Sequence, residues 1–170
     1  MGIPRERDGC SLIIGLGNPL RCDDGLGARV IELILQRELP PRVEVQDGGT
    51  PGWGLVTSLQ GWLRVILVDA AHMGLAPGTW RRFQMKDVDL EMGQGALSLH
   101  EPGLAEGLAL AKALGELPEE LVFYFVEPAC IGEGTGLTPA VEAALPELAE
   151  NILFEIGRDR NEPTENPPHR

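Results

Sequence analysis

Cysteine is scarce in this 170-residue chain: Cys10, Cys22 and Cys130 are the only three. The odd count, the wide spacing and the lack of any Cys-x-x-Cys exclude a disulfide framework and a structural zinc knot. A reducing compartment, the cytoplasm, is the expected home. Positive charge is scarce too. Fourteen Lys and Arg face 26 Asp and Glu, a net charge of −12. Such a surface repels phosphate backbones and anionic lipid, so neither nucleic acid nor a membrane is an expected partner. The balance suits a cation or a basic peptide instead. Long hydrophobic runs are missing as well. The longest, residues 121–126, falls far short of the ~20 residues needed to span a bilayer. No apolar stretch of the signal-peptide kind follows the charged opening MGIPRERDGC. A Gly-Lys-Ser/Thr triplet is also absent, which excludes a P-loop.

Apolar residues make up 43% and charged residues 24% of the chain, enough for one soluble core. Residues 11–15 are a short apolar run ending in glycine, and residues 64–69 and 121–126 are two more. Continuous runs of this length read as strands buried on both faces, as in a parallel sheet. Val43 and Val45 alternate with polar neighbours and lead into an expected turn at 47–50; residues 79–84 read as a further strand. Helical spacing marks residues 25–39, stopped by Pro40 and Pro41, and residues 102–114. A short helix is expected over 53–59, and 85–99 reads as a loop. Thr138-Pro139 opens a last helix, with Pro146 expected to kink it. The order predicts a single three-layer α/β domain over residues 1–157, a mostly parallel twisted sheet flanked by helices, of the phosphorylase or hydrolase-like kind. The polar, proline-rich residues 158–170 are expected to form a disordered tail. No large apolar surface stripe is evident, so a monomer is expected.

In open α/β sheets, sites gather at the carboxyl ends of strands. Asp23 and Asp24 follow the first strand, Asp69 ends the third, and His100 precedes a helix. Each has a plain structural alternative. Asp24 is placed to cap the first helix, Asp69 to accept loop amides, and His100 to sit exposed in a loop. His72 is a substitute for His100, and His169 lies in the tail. Two carboxylates and an imidazole suit a borderline divalent metal such as zinc or nickel. Two aspartates sharing a proton, with no metal, fit the same residues. The loop Gly15-Leu16-Gly17-Asn18-Pro19-Leu20 is half of a dinucleotide fingerprint. Leu20 replaces its third glycine, so the helix is not expected to pack close to the strand.

The combined motifs resemble those of the hydrogenase maturation endopeptidases. Gly15-Leu16-Gly17-Asn18-Pro19-Leu20-Arg21-Cys22-Asp23-Asp24-Gly25-Leu26-Gly27 is similar to their first signature. Asp47-Gly48-Gly49-Thr50, Val65-Ile66-Leu67-Val68-Asp69-Ala70 and Ser98-Leu99-His100-Glu101-Pro102-Gly103-Leu104 resemble the next three. Gly136-Leu137-Thr138-Pro139-Ala140-Val141-Glu142 resembles the start of their last helix. The resemblance implies removal of a short C-terminal peptide from the precursor of a nickel–iron hydrogenase large subunit, once nickel is in place. It implies Asp24, Asp69 and His100 as the metal-contacting and catalytic residues. The nickel would arrive with the precursor, which is the implied partner. His72 has no role in the pattern. A non-catalytic nickel-binding chaperone for the same precursor is the alternative reading.

Overall fold

The computed structural model describes residues 10–88, 98–99 and 103–158. Strand β1 (Ser11–Leu16) is the first apolar run and is buried throughout. A 3-10 turn (Cys22–Gly25) then leads into helix α1 (Leu26–Leu35). The helix ends four residues before the expected stop, its last turn closed by tighter bonds from Gln36 N–H to the Leu33 carbonyl and from Arg37 N–H to that of Ile34. Strand β2 (Val43–Gly49) and helix α2 (Gly54–Leu59) follow. The expected turn at 47–49 is strand, because Gly15 pairs with Asp47 and Leu16 with Gly49 across a register shift.

Strand β3 (Arg64–His72) runs three residues beyond its expected end at Asp69. The extension is held by strand β5 (Ser98–Leu99), whose backbone pairs antiparallel with Ala71 and His72. Before it comes strand β4 (Trp80–Gln84). Helix α3 (Leu104–Leu114), strand β6 (Glu120–Val126) and helix α4 (Pro139–Arg158) complete the fold. Pro146 lies inside α4 without ending it. The rest of the expected tail, residues 159–170, lies outside the described residues.

The sheet order is β2-β1-β3-β6-β4. All neighbours are parallel except β4, which pairs antiparallel with β6 and forms one edge. Side chains alternate across the strands and so build two cores. On one face Ile13, Ile66, Val68 and Val122 meet α1 and α4 through Leu26, Val30, Leu145 and Ile152. On the other, Leu12, Ile14, Leu67 and Phe123 meet α2 and α3 through Leu55, Leu59, Leu104 and Leu108. The expected three-layer, mostly parallel α/β architecture is therefore present.

Chain direction across the sheet reverses at β1. The chain leaves it through α1 toward β2, then returns through α2 to β3 on its other side. The carboxyl ends of β1 and β3 thus flank the topological switch point, the usual crevice for a ligand in such sheets.

The close approach of α1 to β1 corrects one expectation. A Cβ on Gly27 would lie 2.1 Å from the Leu16 carbonyl oxygen, and one on Gly15 would lie 2.3 Å from that of Gly27. Helix and strand backbones touch without a glycine at position 20. Gly27, in the helix's first turn, takes the part assigned to the missing third glycine.

Far from the switch point, α4 is clasped to the sheet by charge. The Glu155 carboxylate meets Arg64 of β3, Arg82 of β4 and the hydroxyl of Tyr124 on β6. Burial pushes the Glu155 carboxyl up, but the Arg82 and Tyr124 hydrogen bonds and the two guanidinium charges outweigh it, so it lies below its usual range. Burial raises the Tyr124 hydroxyl, and the Glu155 carboxylate beside it raises it further.

Candidate active site at the carboxyl edge of the sheet

The loop after β1 folds back on itself. Gly17 adopts a φ of +118°, and a Cβ there would sit 1.8 Å from the Asp24 carbonyl oxygen. Only a residue without a side chain permits that contact. The Gly17 N–H also bonds the Gly49 carbonyl at 2.9 Å, tying this loop to the end of β2.

Asp24 is fully buried by this fold-back. Its Oδ2 accepts the Asn18 N–H at 3.1 Å, with Arg21 Nη1 more distant at 3.9 Å. Its Oδ1 is buried and meets no hydrogen-bond donor among the described residues. The helix-cap reading fails: Gly25 is the cap residue of α1, and no side chain caps the helix. A buried carboxylate oxygen without a donor costs on the order of 1–3 kcal/mol, more when charged. That cost sets Asp24 apart from an ordinary structural aspartate.

Asp23, beside it, has the opposite environment. It is also fully buried, yet its carboxylate accepts four hydrogen bonds. The donors are the N–H groups of Ala129 (2.8 Å), Cys130 (3.0 Å) and Thr138 (2.6 Å), and the Thr138 hydroxyl (2.8 Å). Asp23 therefore braces the first loop against the loop between β6 and α4. Thr138 does precede α4, and its carbonyl accepts the Glu142 N–H, but its hydroxyl serves Asp23.

Asp69 lies within β3, beside Phe125 of β6, and is buried. Its Oδ1 accepts the N–H of Ala70 at 2.8 Å, part of the expected amide bonding. The 3-10 turn bearing Asp24 packs against β3. The two aspartates thus occupy the two sides of the switch point. His100 lies outside the described residues, together with Glu101 and Pro102 of its motif. The backbone of Leu99 is described, paired with Ala71 two residues beyond Asp69. Among the described residues, no group of three or more His, Cys, Asp and Glu side chains is set to hold a metal.

One buried acid escapes the sequence reading altogether. Glu127 follows β6 and is 5% exposed. Its Oε1 lies 3.1 Å from His72 Nδ1, and its Oε2 accepts the N–H groups of Met73 (2.6 Å) and Leu75 (3.2 Å). Burial raises its carboxyl, but the His72 ring and these amides outweigh that and hold it below the usual carboxylate range. His72 is therefore no idle residue; it is half of a carboxylate–imidazole pair at the same edge. The signal was available: Glu127 ends the apolar run of β6 much as Asp69 interrupts that of β3.

Comparison with known proteins gives the family and agrees with this fold. A family model described as hydrogenase maturation protease matches residues 28–155. The hydrogenase expression/formation protein HupD of Thiocapsa roseopersicina is 36% identical over 169 residues, covering 93% of this chain and 75% of its own length. The hydrogenase 2 maturation protease of Escherichia coli is 35% identical over 144 residues, covering 84% and 87%. Among solved structures, the hydrogenase maturating endopeptidase HybD from E. coli superposes with a TM-score of 0.77 at 33% identity. It covers 89% of this chain and 94% of that one.

Proposed function

The chain belongs to the hydrogenase maturation protease family and is an endopeptidase, and from that premise we propose its substrate and site. The substrate is the precursor of a nickel–iron hydrogenase large subunit. The product is the same subunit without a short C-terminal peptide. Nickel already inserted in the precursor is the mark that the enzyme reads. Asp24, Asp69 and His100 are the residues that read it.

The observation that carries this reading is the Asp24 carboxylate, buried at the switch point with Oδ1 open to no donor among the described residues. An oxygen so placed gains most from a cation delivered to it. The buried Asp69 on the neighbouring strand supplies further oxygens. The histidine enters this set from its motif position, and the backbone of Leu99 in the same motif pairs with the end of β3. Carboxylate oxygen with imidazole nitrogen is a donor set suited to a borderline divalent ion.

Recognition through a metal discriminates by difference. A precursor lacking nickel forfeits the coordination, and about 3 kcal/mol of lost binding is about a hundredfold preference. Held this way, the scissile peptide lies beside the carboxylates. One of the two takes a proton from the attacking water as it adds to the carbonyl carbon. The C–N bond then breaks, and the leaving amine takes up a proton. We place the reaction in the cytoplasm, in keeping with the three scattered cysteines.

The test is a processing assay on paired precursors, nickel-loaded and nickel-free, read by mass spectrometry. Release of the C-terminal peptide from the loaded form alone is expected. Equal trimming of both forms overturns metal recognition. Intact precursor in both overturns the substrate assignment.

A further inference from the structure

Two of the three cysteines, 108 positions apart in the chain, come together beside the Asp23 brace. Cys22 opens the 3-10 turn, with a φ of +52°. Cys130 lies in the loop between β6 and α4. Their segments are cross-bonded along the backbone. Cys22 N–H bonds the Gly134 carbonyl at 2.9 Å, and Asp23 N–H bonds the Cys130 carbonyl at 3.1 Å. In return, Cys130 N–H donates to Asp23 Oδ2 at 3.0 Å.

The side chains follow the backbones. Cys22 Sγ reaches the Cys130 loop, 3.9 Å from the Glu133 carbonyl, and the neighbouring Cys22 side chain pushes the Cys130 thiol up. Glycine at 134 keeps the space beside Cys22 clear, whereas a side chain at 132 would make only an ordinary contact with Cys130. A Cβ on Gly134 would lie 3.0 Å from Cys22 Sγ, and one on Gly132 would lie 3.9 Å from Cys130 Sγ. Cys130 is exposed and Cys22 half-buried, so small reagents can reach the pair. Cys10 is the internal control. It precedes β1 at the opposite end of the sheet and packs against the α2–α3 core.

We propose that Cys22 and Cys130 are a modification site: a dithiol that closes to a reversible intramolecular disulfide by exchange with small disulfides of the glutathione class. One protein thiolate attacks a sulfur of oxidised glutathione, forming a mixed disulfide and releasing one glutathione. The second protein thiolate attacks the protein sulfur of that bond and releases the other. The protein loses two electrons and two thiol protons, and two molecules of reduced glutathione gain them. Disulfides of this kind in reducing compartments are transient. The bond would fasten the turn that precedes Asp24 to the loop that Asp23 already holds.

The experiment uses the full folded chain in buffers of graded oxidised-to-reduced glutathione ratio, followed by alkylation and peptide mapping. On oxidation the alkylatable thiols are expected to fall from three to one. The chain should lose two hydrogens in mass, with a cross-linked peptide joining Cys22 to Cys130. Dithiothreitol should restore all three thiols. C10S should behave like the parent chain, whereas C22S should stop at a stable glutathione adduct on Cys130. A stable adduct on the parent chain, no loss of thiols, or a bond through Cys10 or between two chains would overturn the proposal. None of these readouts involves peptidase activity, so the result stands apart from the function proposed above.

Discussion

Asp23 holds Thr138 by both its amide and its hydroxyl, at 2.6 and 2.8 Å, across 115 positions of sequence. All four partners of this carboxylate are donors. The neighbouring Asp24 accepts one backbone N–H at Oδ2 and none at Oδ1 among the described residues. Two adjacent, fully buried aspartates thus differ in kind, and conservative substitutions separate them.

Asp23→Asn should destabilise the fold by about 3 kcal/mol, because an amide NH2 would face donors that need an acceptor. A lowered urea midpoint with an unchanged slope is the expected reading. An unchanged midpoint would show that the brace contributes nothing.

Asp24→Asn should leave the chain at least as stable as the parent, since it removes an uncompensated buried charge while the amide oxygen can still accept the Asn18 N–H. Processing of the nickel-loaded precursor should fall by at least about a hundredfold. Urea unfolding and the mass-spectrometric assay, run on the same preparation, check both halves. Parental turnover would remove Asp24 from the site.

Gly27→Ala should cost about 1–3 kcal/mol, despite alanine's better helix propensity, because the new methyl meets the Leu16 carbonyl oxygen at 2.1 Å. Backbone cannot give way there as a flexible side chain can. A thermal midpoint at or above that of the parent chain would contradict the close approach.

The Glu155 clasp sets a pH dependence with a definite sign. Its folded-state carboxyl lies below the ordinary value of 4.5. The stabilisation is therefore complete above that value and is lost as pH falls through the lower folded value. The Tyr124 hydroxyl is raised above its ordinary 10.0, so its share is complete below that pH and lost at more alkaline pH. Glu155→Gln should flatten the acid limb of a stability-against-pH curve from urea unfolding. An unaltered acid limb would show that other carboxylates carry it.

The architecture was legible in the sequence because the buried strands β1, β3 and β6 are uninterrupted apolar runs, which few other structures require. The ends were less so. The last residues of β3 owe their form to pairing with β5, a long-range contact that local composition does not encode. The end of β2 belongs to β1 in the same way. At the site, adjacent acids in a glycine loop marked the place but not the division of labour between Asp23 and Asp24. That division depends on donors from residues 129–138, more than 100 positions away. The acid that ends the apolar run of β6 was visible, but its pairing with His72, 55 positions away, was not.

The brace joins parts of the polypeptide that are synthesised far apart in time. When synthesis has passed β3, both aspartates of the switch point exist, but the amides and hydroxyl that fix Asp23 have yet to be made. The opening loop reaches its final shape only after residue 138 emerges. The bonds that set this loop are thereby deferred until β6 and the segment after it have been made.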